Sequence, residues 1–238
     1  MLVVLNGEGT LHHGAPRAAE LLSLCALAKE KGHRVAVVNS VWEANPDHMV
    51  EELRKLDLLQ VRDNLSRAAL PPGIPAETTP DISISLFVRL ARDGQFPVPR
   101  YRIAVMDSVV PTAWKALLGF AEEGGLPFFA MPAGNLHKIR EDVEGRSGPV
   151  WPRLLQLTDV MASQAWVTGR FHGLIAALCV GRPVCALSSN TGKIEGLLND
   201  AGLLEACLLG PEWLAASFEQ KRDEVLRRFE IQRSREFE

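Results

Sequence analysis

Four short runs of this sequence place ionisable side chains where an apolar stretch gives way to a helix-like pattern. In α/β sheets that is where ligands bind. The first run is Asn6-Gly7-Glu8-Gly9-Thr10, followed by Leu11-His12-His13. Glycines let the backbone approach a ligand, and a following helix start offers N–H groups to an anion. Glu8 would repel that anion, so sugar hydroxyls or general-base work suit it better. A structural turn with two solvated histidines explains the same residues. The second run is Thr168-Gly169-Arg170-Phe171-His172-Gly173. Here Arg170 offers a planar fork for a carboxylate or phosphate, and His172 can exchange a proton near neutral pH. The plain alternative is that Arg170 pairs with a structural carboxylate and His172 caps the helix.

The third run, Ser188-Ser189-Asn190-Thr191-Gly192-Lys193-Ile194-Glu195, reads as a polar turn opening a helix. Capping alone accounts for Ser189 or Asn190. Lys193 opposes the helix dipole, a conflict that an anionic ligand would remove. The fourth is Val61-Arg62-Asp63-Asn64-Leu65-Ser66, in which Arg62 reaches a cleft or forms a surface ion pair, while Asp63 or Ser66 stabilises the turn. Three cations (Arg62, Arg170, Lys193) and one histidine at strand ends suggest a small anionic substrate and acid/base chemistry.

The elements that must position these groups follow from apolar periodicity. Strands are predicted at 2–5, 35–38, 58–61, 81–85, 101–106, 127–131, 166–168 and 184–187. Helices are predicted at 15–31, 48–56, 62–70, 112–123, 152–157, 172–180, 193–199 and, long and amphipathic, 212–233. Residues 133–149 read as a loop, and 94–99, with its glycine and two prolines, as a linker. Strand–helix alternation predicts mainly parallel sheets covered on both faces. The leading architecture is two Rossmann-like domains meeting at a cleft: residues 1–94 and 100–210, with 211–238 an appended helix.

Composition narrows the function classes. With 238 residues, 47% hydrophobic and 23% charged, the chain has the apolar content for packed cores and lacks the signature of disorder. A net charge of −3 gives no basic field for gripping nucleic acid. The apolar start at Leu2–Leu5 is too short for a signal peptide or membrane span, and no apolar run elsewhere reaches about 18 residues. Four cysteines without a CxxC pair read as buried thiols, not as a metal or disulfide framework. A cytoplasmic protein without a metal site is expected.

Taken together, Thr168-Gly169-Arg170-Phe171-His172-Gly173-Leu174-Ile175-Ala176-Ala177-Leu178, Gly181-Arg182-Pro183-Val184, Ser189-Asn190 and Lys193-Ile194-Glu195 resemble the polysaccharide pyruvyl transferase family. The upstream Asn6 to Thr10, Val61-Arg62-Asp63 with Ser66, and Pro80-Asp81 resemble it in the same order, over roughly residues 1–205. The resemblance implies a GT-B-like pair of Rossmann-like domains that transfers pyruvate from phosphoenolpyruvate to sugar hydroxyls as a ketal, in cell-surface polysaccharide biosynthesis. It also implies roles. His172 would be the acid; the chemistry, not the resemblance, offers Glu8 as the base for the acceptor. Arg170, Arg62, Phe171 and Lys193 would hold the donor. Asn6, Gly7, Gly9, Thr10, Ser189, Asn190 and Glu195 would line the acceptor side. Phosphoenolpyruvate enters as donor substrate with no further cofactor, the partner is a sugar or glycan, and peripheral membrane association is compatible with both. One departure is that family members carry an additional β-α unit before the strand that here begins at Leu2, so an incomplete first domain is expected. Two alternatives stay open: a nucleotide-sugar glycosyltransferase on the same plan, and a non-catalytic sugar- or anion-binding remnant.

Overall fold

A computed structural model describes residues 1–93, 99–130, 153–154 and 162–235. The expected loop at 133–149 and nearly all of the expected linker at 94–99 lie outside these residues. The chain divides into two compact units. One comprises Met1–Ile82 and Thr191–Gly202; the other comprises Ser83–Asn190 and Leu203–Glu238. Both are α/β units built on parallel sheets, as the alternation predicts.

The first unit contains β1 (Leu2–Glu8), α1 (Pro16–Glu30), β2 (Arg34–Ser40), α2 (Asp47–Arg54), β3 (Leu58–Val61), α3 (Asn64–Ala69) and β4 (Ala76–Thr78). Its four strands lie in the order β1-β2-β3-β4. In register, Val3 and Leu5 stand beside Val35 and Val37. On that face they meet Ala18, Leu22 and Cys25 of α1 and Met49, Val50 and Leu53 of α2. The other face of β1 differs from expectation. Leu2 and Val4 are 57% and 55% exposed. β1 is an edge strand, and the core residues of α1 and α2 meet it on the Val3 and Leu5 face, so a continuous apolar run need not be buried on both faces.

The second unit contains α4 (Ser83–Arg92), β5 (Ala104–Ser108), α5 (Pro111–Gly124), β6 (Phe128–Ala130), β7 (Arg153–Leu154), β8 (Trp166–Gly169), α6 (Phe171–Cys179) and β9 (Val184–Ala186). After β9 the chain enters the first unit as α7 (Lys193–Asp200). It then returns as α8 (Leu204–Cys207), a 3-10 turn (Pro211–Ala215) and α9 (Phe218–Arg235). Strand order is β7-β6-β5-β8-β9, with β5 central and buried throughout. Val105, Val167 and Cys185 point into a core shared with Leu117, Phe120 and Ala121 of α5 and Val225 and Phe229 of α9.

Two expectations are corrected here. The alternation Asp81-Ile82-Ser83-Ile84-Ser85 is not a strand: α4 begins at Ser83. Ile84, Phe87, Val88 and Ala91, all partly buried, carry the helical spacing that the short alternation masks. The strand lies upstream, at Ala76–Thr78, in the Pro/Thr-rich stretch. Arg153–Leu154, expected inside a helix, is a strand paired with β6, so sheet pairing overrides the local pattern. Of the cysteines, Cys25, Cys185 and Cys207 are buried free thiols and Cys179 is partly buried. Among the described residues no helix is long and apolar enough to cross a membrane.

Helix α9 carries its own electrostatic device. Glu224 accepts two hydrogen bonds from Arg227 at 2.8 Å and one from Arg228 at 2.6 Å. The bonds from Arg227 are the larger cause holding its carboxyl down at about 2, below the ordinary 4.5. A depressed folded-state pKa stabilises above the unfolded value and ceases to do so as pH falls through the folded one. Wild type should therefore exceed Glu224→Gln in stability, by about 1 kcal/mol or less at this partly exposed site. The difference should disappear between pH 4.5 and 2 in acid titrations followed by circular dichroism.

Candidate functional site

In the second unit the chain runs from β5 outward through β6 and β7, then returns to the other side of β5 as β8. The order of strands reverses between β5 and β8. Beyond the carboxyl ends of strands at such a reversal an α/β sheet leaves a crevice for ligands. The run Thr168 to Gly173 and the end of β5 occupy this position.

Most of that run is explained by packing. The Thr168 hydroxyl accepts the Arg170 backbone N–H at 3.0 Å and sets the turn. A Cβ on Gly169 would collide with the Cβ and Cα of Ser108, so only glycine lets β8 pass β5 there. Phe171 is buried. A Cβ on Gly173 would stand 2.5 Å from the Met106 sulfur, which brings α6 close against the sheet. Overpacking of this kind costs about 1–3 kcal/mol. Gly173→Ala should lose that much in urea denaturation, and Gly169→Ala more, because backbone obstructs it.

Arg170 has the role that the plain alternative gives it. Its Nε donates to Asp107 Oδ1 at 2.8 Å and its Nη2 to Oδ2, a two-point grip on a carboxylate that is fully buried. Of five guanidinium N–H donors, two are thereby engaged. Asp107 went unnoticed in the sequence because 63 residues separate it from Arg170. An isolated Asp in an apolar strand signals a buried partner without naming it. His172 stands at the second position of α6, partly exposed, with its ring edge-on to Phe171 at 5.5 Å between centroids. It occupies the turn where the helix dipole is positive. Beyond β9, Ser189 donates from its hydroxyl to Asn190 Oδ1 at 3.1 Å.

The first unit assembles a different group. Arg62 is buried and donates to Asp81 at 3.0 Å, an internal ion pair in place of the expected cleft or surface one. Burial lowers its pKa and Asp81 opposes that shift. Asp63 caps α3 by accepting the Ser66 N–H at 2.6 Å, and burial raises its pKa. A Cβ on Gly9 would lie 3.6 Å from both Arg62 Nη2 and Lys193 Nζ, so two cations border one stretch of backbone. The neighbouring Gly7 passes so near Ser40 that its Cβ would sit 2.8 Å from the serine side chain, and Thr10 closes the turn by donating its N–H to Gly7 O.

Glu8 is held by a relay of side-chain amides. The Ile82 N–H donates to Asn39 Oδ1, Asn39 Nδ2 to Asn6 Oδ1, and Asn6 Nδ2 to Glu8 Oε1, at 3.2–3.3 Å. Glu8 and Asn39 have φ of 41° and 56°. Left-handed backbone at non-glycine residues costs about 1–3 kcal/mol each and gathers at functional sites. Asn39 was missed in the sequence because nothing near it marks the irregularity in β2, where the register with β3 shifts between Val37 and Ser40.

Lys193 at the start of α7 belongs to this unit, whereas Ser189 and Asn190 belong to the other, so the third run is shared between them. A protein carboxylate already meets the helix start: Glu43 Oε2 accepts the Gly192 N–H at 2.7 Å. The other Glu43 oxygen lies 3.6 Å from His13 Nε2, and the Nδ1 atoms of His12 and His13 are 3.1 Å apart. Burial, then His13 and Lys193, lower the His12 pKa and favour its neutral ring. Glu195 is partly buried, and its Oε2 is shielded from solvent without a hydrogen-bond partner among the described residues. Comparison of the chain with known protein families and with curated proteins finds no match.

Proposed function

We propose that this protein is a pyruvyl transferase of the polysaccharide-modifying type, with its two α/β units serving as the Rossmann-like domains of a GT-B-like enzyme. The observation that carries the reading is the position of His172, on the first turn of α6 at the strand-order reversal of the second sheet, next to an arginine whose fork is held rigid by Asp107. A reaction on phosphoenolpyruvate needs these groups. An acid delivers a proton to C3 and leaves C2 electrophilic, a task suited to His172 in its protonated form. A sugar hydroxyl attacks C2 and loses its proton, inorganic phosphate departs, and a second hydroxyl closes the ketal.

Arg170, oriented by Asp107, keeps three N–H donors for the donor's carboxylate. In the first unit, Arg62 and Lys193 beside Gly9 suit an anionic group, and Glu8, held by the Asn39–Asn6 relay, suits a base that receives a hydroxyl proton. The test is phosphate release from phosphoenolpyruvate across a panel of glycosides. Release that requires both the glycoside and His172 supports the reading; turnover with nucleotide sugars alone overturns it.

A further inference from the structure

Away from the carboxyl ends of its strands, the second unit has a cavity of about 510 Å³ between α5, α9 and the residues leading into β5 and β8. Its wall is apolar, formed by Ile103, Phe120, Leu126, Phe218, Leu226 and Phe229. Phe120 and Phe229 belong to the core, but Ile103, Leu126 and Phe218 are only partly buried and Leu226 is 42% exposed. The charged groups around it are Arg102, Arg222 and Arg233 against a single carboxylate, Glu230. Arg222 pairs with the adjacent Asp223 and lies 6.0 Å above the Phe218 ring. The Arg102 and Arg233 side chains make no ion pair or hydrogen bond among the described residues, and both are exposed.

We propose that this cavity binds a free single-chain amphiphilic anion, such as a medium-chain fatty carboxylate. Its hydrocarbon would lie along Phe218, Leu226 and Ile103, and its headgroup would meet Arg102 and Arg233. Three features favour this occupant. The volume is within the range of small-molecule sites, about 300–1,000 Å³. The rim has a cationic excess that complements a negative headgroup. Apart from the arginines and Glu230, Gln164 is the one polar side chain of the lining, so a peptide would leave its backbone amides without partners. The site is independent of pyruvyl transfer, since none of its residues takes part in that reaction.

The test is calorimetric titration of the full chain with dodecanoate below its micelle concentration. Saturable one-to-one binding is expected, with affinity at least tenfold lower for dodecanol and no binding of inorganic phosphate alone. The double variant Arg102→Glu/Arg233→Glu and the single variant Leu226→Asp should each lose at least tenfold. These residues are exposed, so unchanged melting temperatures will show that the variants fold. Absence of saturable binding, or equal affinity in both variants and wild type, overturns the proposal. So does sedimentation with phosphatidylglycerol vesicles without binding of monomeric dodecanoate, which would identify a bilayer as the partner.

Discussion

Replacing His172 with alanine should lower phosphate release from phosphoenolpyruvate and glycoside by about 10²–10⁴-fold, the range that a positioned general acid contributes. Folding should be unaffected. The side chain is partly exposed on the first turn of α6 and lies outside the buried set Phe171, Gly173, Leu174, Ile175, Ala176 and Ala177 that fixes the helix. Initial rates beside thermal melts check both halves of the expectation. Equal losses of stability and activity in His172→Ala would assign the residue to packing.

Arg170→Ala should unfold more readily, by up to about 3–5 kcal/mol, because it removes the cation that grips a carboxylate in the interior. Asp107 is fully buried, and both of its oxygens are engaged by the guanidinium. Urea midpoints measure the loss. Arg170→Lys should fall between wild type and alanine, since an ammonium keeps the charge but cannot span both oxygens. The double variant Arg170→Ala/Asp107→Ala should be less destabilised than the sum of the two single changes, as expected for two groups in direct contact. On sequence grounds alone, Arg170→Lys affects donor affinity. The structure adds a cost in stability, so affinity has to be compared at a temperature where both proteins are folded. A stable Arg170→Ala protein with unimpaired phosphoenolpyruvate binding would remove Arg170 from any role in the site.

The plan of each unit was legible because its signals are local. Val35–Val38, Ala104–Met106 and Trp166–Thr168 are apolar runs that parallel strands require. The spacing of Ala18, Leu22 and Cys25 places one face of α1 on the core. Asp63 was recognisable as a turn residue, since a cap acts on an N–H three positions away. Legibility ended where pairing decided the conformation. The strand Arg153–Leu154 exists through its partner β6, and β1 is half exposed because it lies at an edge. Neither property is written in the residues of these strands themselves.

The chemistry divides in the same way. The sequence by itself determined which side chains stand at or just beyond the ends of strands, Glu8, Arg62, Arg170 and His172, and that Lys193 opens a helix. That follows from the alternation of apolar runs with turn residues. Only the tertiary structure decided what each is bonded to. Asp107 lies 63 residues from Arg170, Asp81 lies 19 from Arg62, and Glu43 lies 149 from Gly192. It also moved α7, with Lys193 and Glu195, from the unit that precedes it in the chain to the one that begins the chain. The physical reason is that a buried charge must find a countercharge wherever the fold brings one, and sequence separation carries no information about that choice.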